Sequence, residues 1–280
     1  MARTISIVEN EAHDFEEILQ HLQPRNIPVI GFTGPPGAGK STLLNAVIGL
    51  LLEEKKKLGL VLVDPSSPFN LGALLGDRLR MSAYFDNKDI FIRSVATRGS
   101  LGGLSDKIME VTEVMRTYPF DYIFVETVGV GQSEVEIAGL ADTTVVVLVP
   151  ESGDSVQAMK AGLMEIADIF VVNKADRADA EALINSLQLQ LQISGKVHIP
   201  IVKTVAVESK GVKELLDEIM KQRDLEKNQE RKLMLLSEKA LRIISKSRMK
   251  DFDKKAMRLA LEKKMNDVNF NLYAFVKEYA

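Results

Sequence analysis

Apolar residues along this chain follow two textures. Between residues 27 and 222, short β-branched runs alternate with helical stretches. The runs at 29–33, 60–64, 90–93, 122–126, 144–149, 169–173 and 199–204 are apolar nearly throughout. That suits strands covered on both faces of a parallel sheet. Between them, residues 40–57, 105–118, 155–166, 178–193 and 210–221 read as helices. Such alternation predicts an α/β fold with a doubly wound, mostly parallel sheet.

Two flanking segments differ. In the first 26 residues Ile5, Val8, Phe15, Ile18, Leu19 and Leu22 recur at roughly helical spacing, and Pro24 and Pro28 bracket the passage to the first strand. After residue 222 the strand pattern stops. Residues 223–280 hold neither proline nor glycine and are rich in Leu, Lys, Arg, Glu and Met, so they read as helices. The expected organisation is a short helical extension over 1–26, an α/β domain over 27–222 and a helical arm over 223–280.

Composition narrows the chemistry. The 280 residues are 46% hydrophobic and 27% charged, which argues against disorder. Cysteine is absent, excluding disulfides, thiolate nucleophiles and cysteine-held zinc. His13, His21 and His198 are scattered, which argues against a histidine metal site. No apolar run approaches the roughly 20 residues of a membrane-spanning helix. The N-terminus lacks the apolar core of a secretory signal, so a cytoplasmic protein without membrane contact is expected. The net charge of −3 divides unevenly. Residues 221–264 hold 15 Lys and Arg against 7 Asp and Glu, a net of +8, and the rest of the chain carries −11.

The strongest chemical signal is Gly34-Pro35-Pro36-Gly37-Ala38-Gly39-Lys40-Ser41-Thr42, a full match to G-x-x-x-x-G-K-[ST]. An apolar strand enters it and a helical run leaves it. Its backbone N–H groups can turn inward around phosphate oxygens, and the following helix aims its positive end at them. Lys40 is expected on the β- and γ-phosphates, and Ser41 on Mg²⁺. Asp64 and Glu126 end apolar strands on the same side, where ligands bind in open α/β sheets, and Asp77 sits in a turn-rich loop; all three are candidate metal-linked acids. Glu126-Thr127-Val128-Gly129 has the form of a switch element, its acid near the metal and the Gly129 N–H near the γ-phosphate.

Asn173-Lys174-Ala175-Asp176 follows the strand at 169–173. N-K-x-D is the guanine-reading pattern. The Asp176 carboxylate can accept from guanine's N1–H and its exocyclic amine, a donor pair adenine lacks. Val205 and Ala206, after the last strand, are the expected final base-contacting loop. Val130 stands where a water-orienting Gln would directly follow Gly129, leaving Gln132 as the candidate for that task.

Together these elements resemble the MeaB/ArgK/MMAA-type GTPases, in the metallochaperone-like (SIMIBI) branch of P-loop GTPases. The resemblance rests on GFTGPPGAGKSTLLNAVIG (31–49), VLVDPSSPFNLGALLGDRLRM (61–81) and the stretch from FDYIFVETVGVGQSE to FVVNKAD (120–176). It covers about residues 27–220. The chain departs from the family pattern at Leu71-Gly72, at Val205 and in its short N-terminal region. The resemblance implies a homodimeric GTP/GDP switch that chaperones an adenosylcobalamin-dependent acyl-CoA mutase, with low intrinsic turnover. It implies that residues 64–81 and 126–132 are switches I and II, and that 152–160 is a third switch, within which Lys160 is the charged residue to test.

The arm has apolar positions at helical spacing, Leu233, Leu236, Ala240, Ile243 and Ile244, then Met257, Leu261 and Met265. The resemblance implies that it dimerises. The aromatic interleaving of single-strand binders is absent from 221–251, which argues against nucleic acid as its partner. Rival readings are a metal-insertion GTPase of the same branch, a small-molecule kinase and a nucleotide-gated scaffold. The first handles metal through Cys and His, which this chain lacks or scatters. The second requires N-K-A-D to be accidental.

Overall fold

The computed structural model describes residues 1–64, 81–96, 107–129, 133–150, 162–223, 229–249, 252–265 and 270–277. The chain divides into two compact units, Met1–Lys232 and Leu233–Ala280.

The first unit is built on seven strands: β1 Val29–Thr33, β2 Leu58–Asp64, β3 Ile90–Ala96, β4 Tyr122–Glu126, β5 Thr143–Leu148, β6 Ile169–Asn173 and β7 Ile201–Thr204. Their order is β3-β2-β4-β1-β5-β6-β7, and every pairing is parallel. The loops after all seven strands therefore leave one edge of the sheet. The helices between the strands are α3 Lys40–Glu53, α4 Ile108–Arg116, α5 Ser133–Leu140, α6 Leu163–Ile166 and α7 Ala180–Ile193, and α8 Val212–Arg223 follows the last strand. This is the doubly wound α/β architecture that the alternating runs predict.

Although the strands are apolar throughout, their side chains still alternate between the two faces of the sheet, where they join three clusters. Ile30, Phe32, Phe124, Val145, Val147 and Val171 face a core with Leu43, Leu44, Val47 and Ile48 of α3 and Leu215 and Ile219 of α8. Val29, Ile123 and Val125 face the opposite core with Val111 and Met115 of α4. Val146, Leu148, Phe170 and Val172 join Leu183, Ile184 and Leu187 of α7.

The N-terminal stretch forms two short helices, α1 Ala2–Glu9 and α2 Phe15–Gln20. Left-handed backbone at Glu11 and Asp14 separates them. Ile5 and Val8 are fully buried in the α4-side core, so α1 contributes to the packing of the sheet unit. Glu9 pairs with Arg93 of β3.

The edge opposite the strand-end loops carries a repeated clasp. Asp142 accepts from the Val29 N–H at 2.9 Å, and its own N–H donates to the Val29 carbonyl at 2.7 Å. Asp121 does the same with Lys57, both at 2.7 Å, and Asp168 with Thr144, at 2.7 and 3.0 Å. Each carboxylate thus satisfies an amide at or beside a strand start that the ladder leaves over. Asp142 also pairs with Arg116 at 2.8 Å.

Most of helix α9 Gln229–Arg248, which begins in the last residues of the first unit, and all of α10 Lys254–Lys264 and α11 Leu272–Val276 belong to the second unit. Asp253 caps α10 through the Lys255 and Ala256 amides, and Asn271 caps α11. Among the described residues, no helix is long and apolar enough to cross a membrane.

Candidate functional site

The nominated residues gather on the strand-end edge, around the exit of β1. Residues 34–39 leave the buried strand and turn into α3, whose first residue is Lys40. Gly34, Gly37 and Gly39 all have positive φ, of 134°, 78° and 85°. Gly34 is held by space as well, because a methyl there would overlap the Val147 carbonyl oxygen. Pro36 and Gly37 lie exposed at the tip, Ala38 is buried, and Thr42 is exposed on the first turn of α3. The loop and helix start offer the inward amides and positive helix end that an anion needs.

Lys40 is buried, and its ammonium donates to the Gly34 and Pro35 carbonyls at 2.8 and 3.1 Å. It thus lies folded over the loop. Ser41 Oγ donates to Glu126 Oε1 at 2.6 Å, bringing together a nominated hydroxyl and a nominated acid 85 positions apart. Asp64 ends β2, in register with Ala96 of β3, on the same edge. Asp77, Gln132 and Lys160 lie outside the described residues.

The loop after β4 is sewn onto β1. The Thr127 N–H donates to the Phe32 carbonyl at 3.0 Å, and the Thr127 and Thr33 hydroxyls bond at 3.0 Å while both are buried. Gly129, at φ 82°, lies flush against the phosphate loop. A methyl on it would overlap the Gly34 carbonyl oxygen and stand 2.7 Å from the Lys40 ammonium. The chain can approach this closely only without a side chain. The threonine pair was not nominated from sequence. Its one signal is a hydroxyl that ends the apolar run at 29–33 and another that directly follows Glu126, the end of the run at 122–126.

Asn173 joins three loops. Its Nδ2 donates to the Ala38 carbonyl at 2.9 Å, and its Oδ1 accepts from Thr204 Oγ1 and the Ala206 N–H, both at 3.1 Å. It is 2% exposed. The Ala175 N–H adds a bond to the Thr204 carbonyl at 3.0 Å. Lys174 is half-buried with left-handed backbone, and Asp176 is exposed beyond it. Val205 and Ala206 are buried beside Asn173. Phosphate loop, N-K-A-D element and final loop therefore form one hydrogen-bonded body, with an exposed carboxylate at its outer end.

Among the described residues, no group of three or more His, Cys, Asp or Glu side chains is placed to hold a metal ion. The pair Ser41 and Glu126 offers hard oxygen donors. That fits Mg²⁺, which binds few protein groups and keeps waters and phosphate oxygens around it.

Comparison with known proteins agrees with this geometry. The model of the family "Methylmalonyl Co-A mutase-associated GTPase MeaB" matches residues 1–258. A Pyrococcus abyssi protein named as a GTPase is 49% identical over 231 residues, 80% of this chain and 71% of its own length. GTPase ArgK of Escherichia coli is 39% identical over 182 residues, 63% of this chain and 55% of its own. The mouse mitochondrial methylmalonic aciduria type A homolog is 36% identical over 209 residues, 71% of this chain and 50% of its own. Among solved structures, one described as an LAO/AO transport system kinase covers 99% of this chain and 90% of its own, with a TM-score of 0.68 at 23% identity. HypB from Helicobacter pylori, in complex with nickel, covers 78% of this chain and 94% of its own, with a TM-score of 0.52 at 18% identity. These two likenesses establish a shared fold. The family match over residues 1–258, joined to relatives of up to 49% identity, identifies the chain as a P-loop GTPase that belongs to the MeaB family.

Proposed function

We propose that this GTPase is a guanine-nucleotide switch that chaperones an adenosylcobalamin-dependent acyl-CoA mutase of the methylmalonyl-CoA mutase type, gating cofactor loading and protecting or reactivating the mutase. The observation that carries the reading is the family match over residues 1–258, whose description couples the GTPase to that mutase. The mouse relative, named for methylmalonic aciduria, supports it.

In this reading the amides of Gly34 and of Gly37 to Thr42, together with the Lys40 ammonium, receive the phosphates. Lys40 exchanges the Gly34 and Pro35 carbonyls for phosphate oxygens and offsets the charge that develops as the γ-phosphoryl group leaves. Ser41 and Glu126, with Asp64 and Asp77, would hold Mg²⁺, which when bound offsets charge on the β- and γ-phosphates. The Gly129 N–H reports the γ-phosphate to switch II, and Gln132 orients the attacking water. Water adds to the γ-phosphorus, the bond to the β–γ bridging oxygen breaks, and GDP and phosphate result. Asp176 reads the guanine N–H pair, Lys174 packs its stem on the ring, and Val205 and Ala206 bound the base. Lys160 couples the third switch to the client.

The switch residues include no Gln directly after Gly129, so the isolated protein should turn over slowly and its client should accelerate it. The arm supports a homodimer. Leu233, Leu236, Ile243 and Ile244 lie exposed at helical spacing on α9, the kind of face a two-fold partner covers. The test is co-purification with candidate cobalamin mutases, with GTPase rates measured with and without each. Binding with a raised rate is expected. Neither binding nor stimulation by any cobalamin mutase would overturn the chaperone role.

A further inference from the structure

The pairing of β1 with β4 runs one side-chain rung past its backbone. The last paired residues of the ladder are Phe32 and Glu126. One residue on, the Thr127 N–H still donates to the Phe32 carbonyl at 3.0 Å. Beyond that bond both chains turn, through Gly34 at φ 134° and Gly129 at φ 82°. At this point the Thr127 hydroxyl donates to the Thr33 hydroxyl at 3.0 Å. Both threonines are buried, so bulk water does not compete for the bond.

Side chains along a strand alternate between the faces of its sheet. Ile123 and Val125 face the α4-side core, and Phe124 faces the α3-side core. The same alternation puts Glu126 on the α3 side and Thr127 on the other. The 2.6 Å bond from Ser41, on the first turn of α3, finds Glu126 there. On β1, Phe32 likewise faces the α3 side. Thr33 takes the other face with Gly31, where a methyl would strike Ile137 of the opposite core. The two hydroxyls thus meet on one face of the sheet while the acid meets Ser41 on the other. A twist of the chain that swings Glu126 away from Ser41 must also pull Thr127 off Thr33.

We propose that Thr33 and Thr127 are positioning residues for the metal-linked acid: their buried hydroxyl bond fixes the rotation of the end of β4 and so keeps the Glu126 carboxylate on Ser41. Groups behind a metal ligand commonly orient it in this way. The role deepens the reading that Ser41 and Glu126 hold Mg²⁺, and it rests on that reading.

The experiment titrates a non-hydrolysable GTP analogue into the full-length protein by calorimetry, in EDTA and over a range of Mg²⁺ concentrations, with thermal unfolding alongside. The variants are Thr33→Val, Thr127→Val, the double valine variant, Thr127→Ser and Ser41→Ala. Each valine keeps the side-chain shape and removes the hydroxyl. Thr127→Val should raise the Mg²⁺ concentration for half-maximal tightening of nucleotide binding by about two- to ten-fold, the worth of one hydrogen bond. Its affinity in EDTA should match the parent. Thr33→Val should behave alike, and Thr127→Ser, which keeps a hydroxyl, should restore the parental Mg²⁺ requirement. The double variant leaves no partner hydroxyl unpaired, so it should regain stability over either single variant and yet keep the raised Mg²⁺ requirement. An unchanged Mg²⁺ requirement in Thr127→Val, an equal loss of affinity with and without Mg²⁺, or a double variant whose Mg²⁺ requirement recovers with its stability would overturn the proposal. If Ser41→Ala keeps the parental Mg²⁺ requirement, the metal reading itself fails and takes the proposal with it, a result distinct from the others.

Discussion

Replacing Asn173 by alanine removes a side chain that ties its own loop to two others by hydrogen bonds. Three contacts disappear, to Ala38, Thr204 and Ala206. Each neutral hydrogen bond contributes about 0.5–1.5 kcal/mol net, and a buried donor left without a partner costs about 1–3 kcal/mol. The Ala206 amide is such a donor, since Ala206 is buried. The expected destabilisation is about 2–4 kcal/mol, together with weaker binding of every nucleotide. The chain has no tryptophan, so urea unfolding is best followed by far-ultraviolet circular dichroism, with GDP affinity measured by calorimetry. Asn173→Asp sharpens the test. It keeps an acceptor for Thr204 and Ala206 but sets a carboxylate oxygen against the Ala38 carbonyl, so nucleotide affinity should fall at least as far as in the alanine variant. A destabilisation below about 1 kcal/mol with unchanged GDP affinity would refute the view that Asn173 binds the three loops into one body.

Other outcomes follow from the same geometry. Gly129→Ala places a methyl against the Gly34 carbonyl and the Lys40 ammonium, so single-turnover GTP hydrolysis should drop about 100-fold or more while the unfolding midpoint moves little; near-parental turnover would count against that packing. Ser41→Ala and Glu126→Gln should each raise the Mg²⁺ concentration needed for half-maximal hydrolysis, and a magnesium titration of the rate checks this. Asp142→Ala loses the Val29 amide and Arg116 together and should cost about 1.5–3 kcal/mol in urea unfolding without changing GDP affinity. Leu236→Lys with Ile243→Glu on α9 should convert a dimer to a monomer in light scattering, and an unchanged mass would remove the arm from the interface.

Much of this architecture is readable along the chain because it depends on local pattern. Strands at 29–33, 122–126 and 169–173 begin and end where the apolar runs do. Helix α3 stops at Glu53 rather than reaching 57, because Lys55 takes left-handed backbone and the Lys55 and Lys56 amides return to Leu52 and Leu51. Glycine usually marks such a stop, and a lysine gives no warning. Strand β3 continues past Arg93 to Ala96, since the arginine that breaks the apolar run is matched by Glu9 from α1. That pairing spans 84 positions and has no local trace. Strand β7 starts at Ile201, after Pro200, which has no amide to give the ladder. The phosphate loop and N-K-A-D element were legible because their chemistry sits in consecutive residues. The Thr33–Thr127 bond was not, because its halves are 94 positions apart.

The aspartate clasps bear on how this molecule can move. Asp121, Asp142 and Asp168 each bind the strand-start backbone of a neighbouring segment, all on the edge away from the nucleotide loops. The sheet is thus clamped along one margin and loaded along the other, like a row of parallel cantilevers. Displacement imposed by a bound nucleotide should grow from root to tip. In amide hydrogen exchange, the buried clasped amides of Val29 and Thr144 should open only with global unfolding, while strand-end amides exchange through smaller local excursions. A clamped root confines a change of nucleotide to the working margin and leaves the rest of the sheet as a fixed reference.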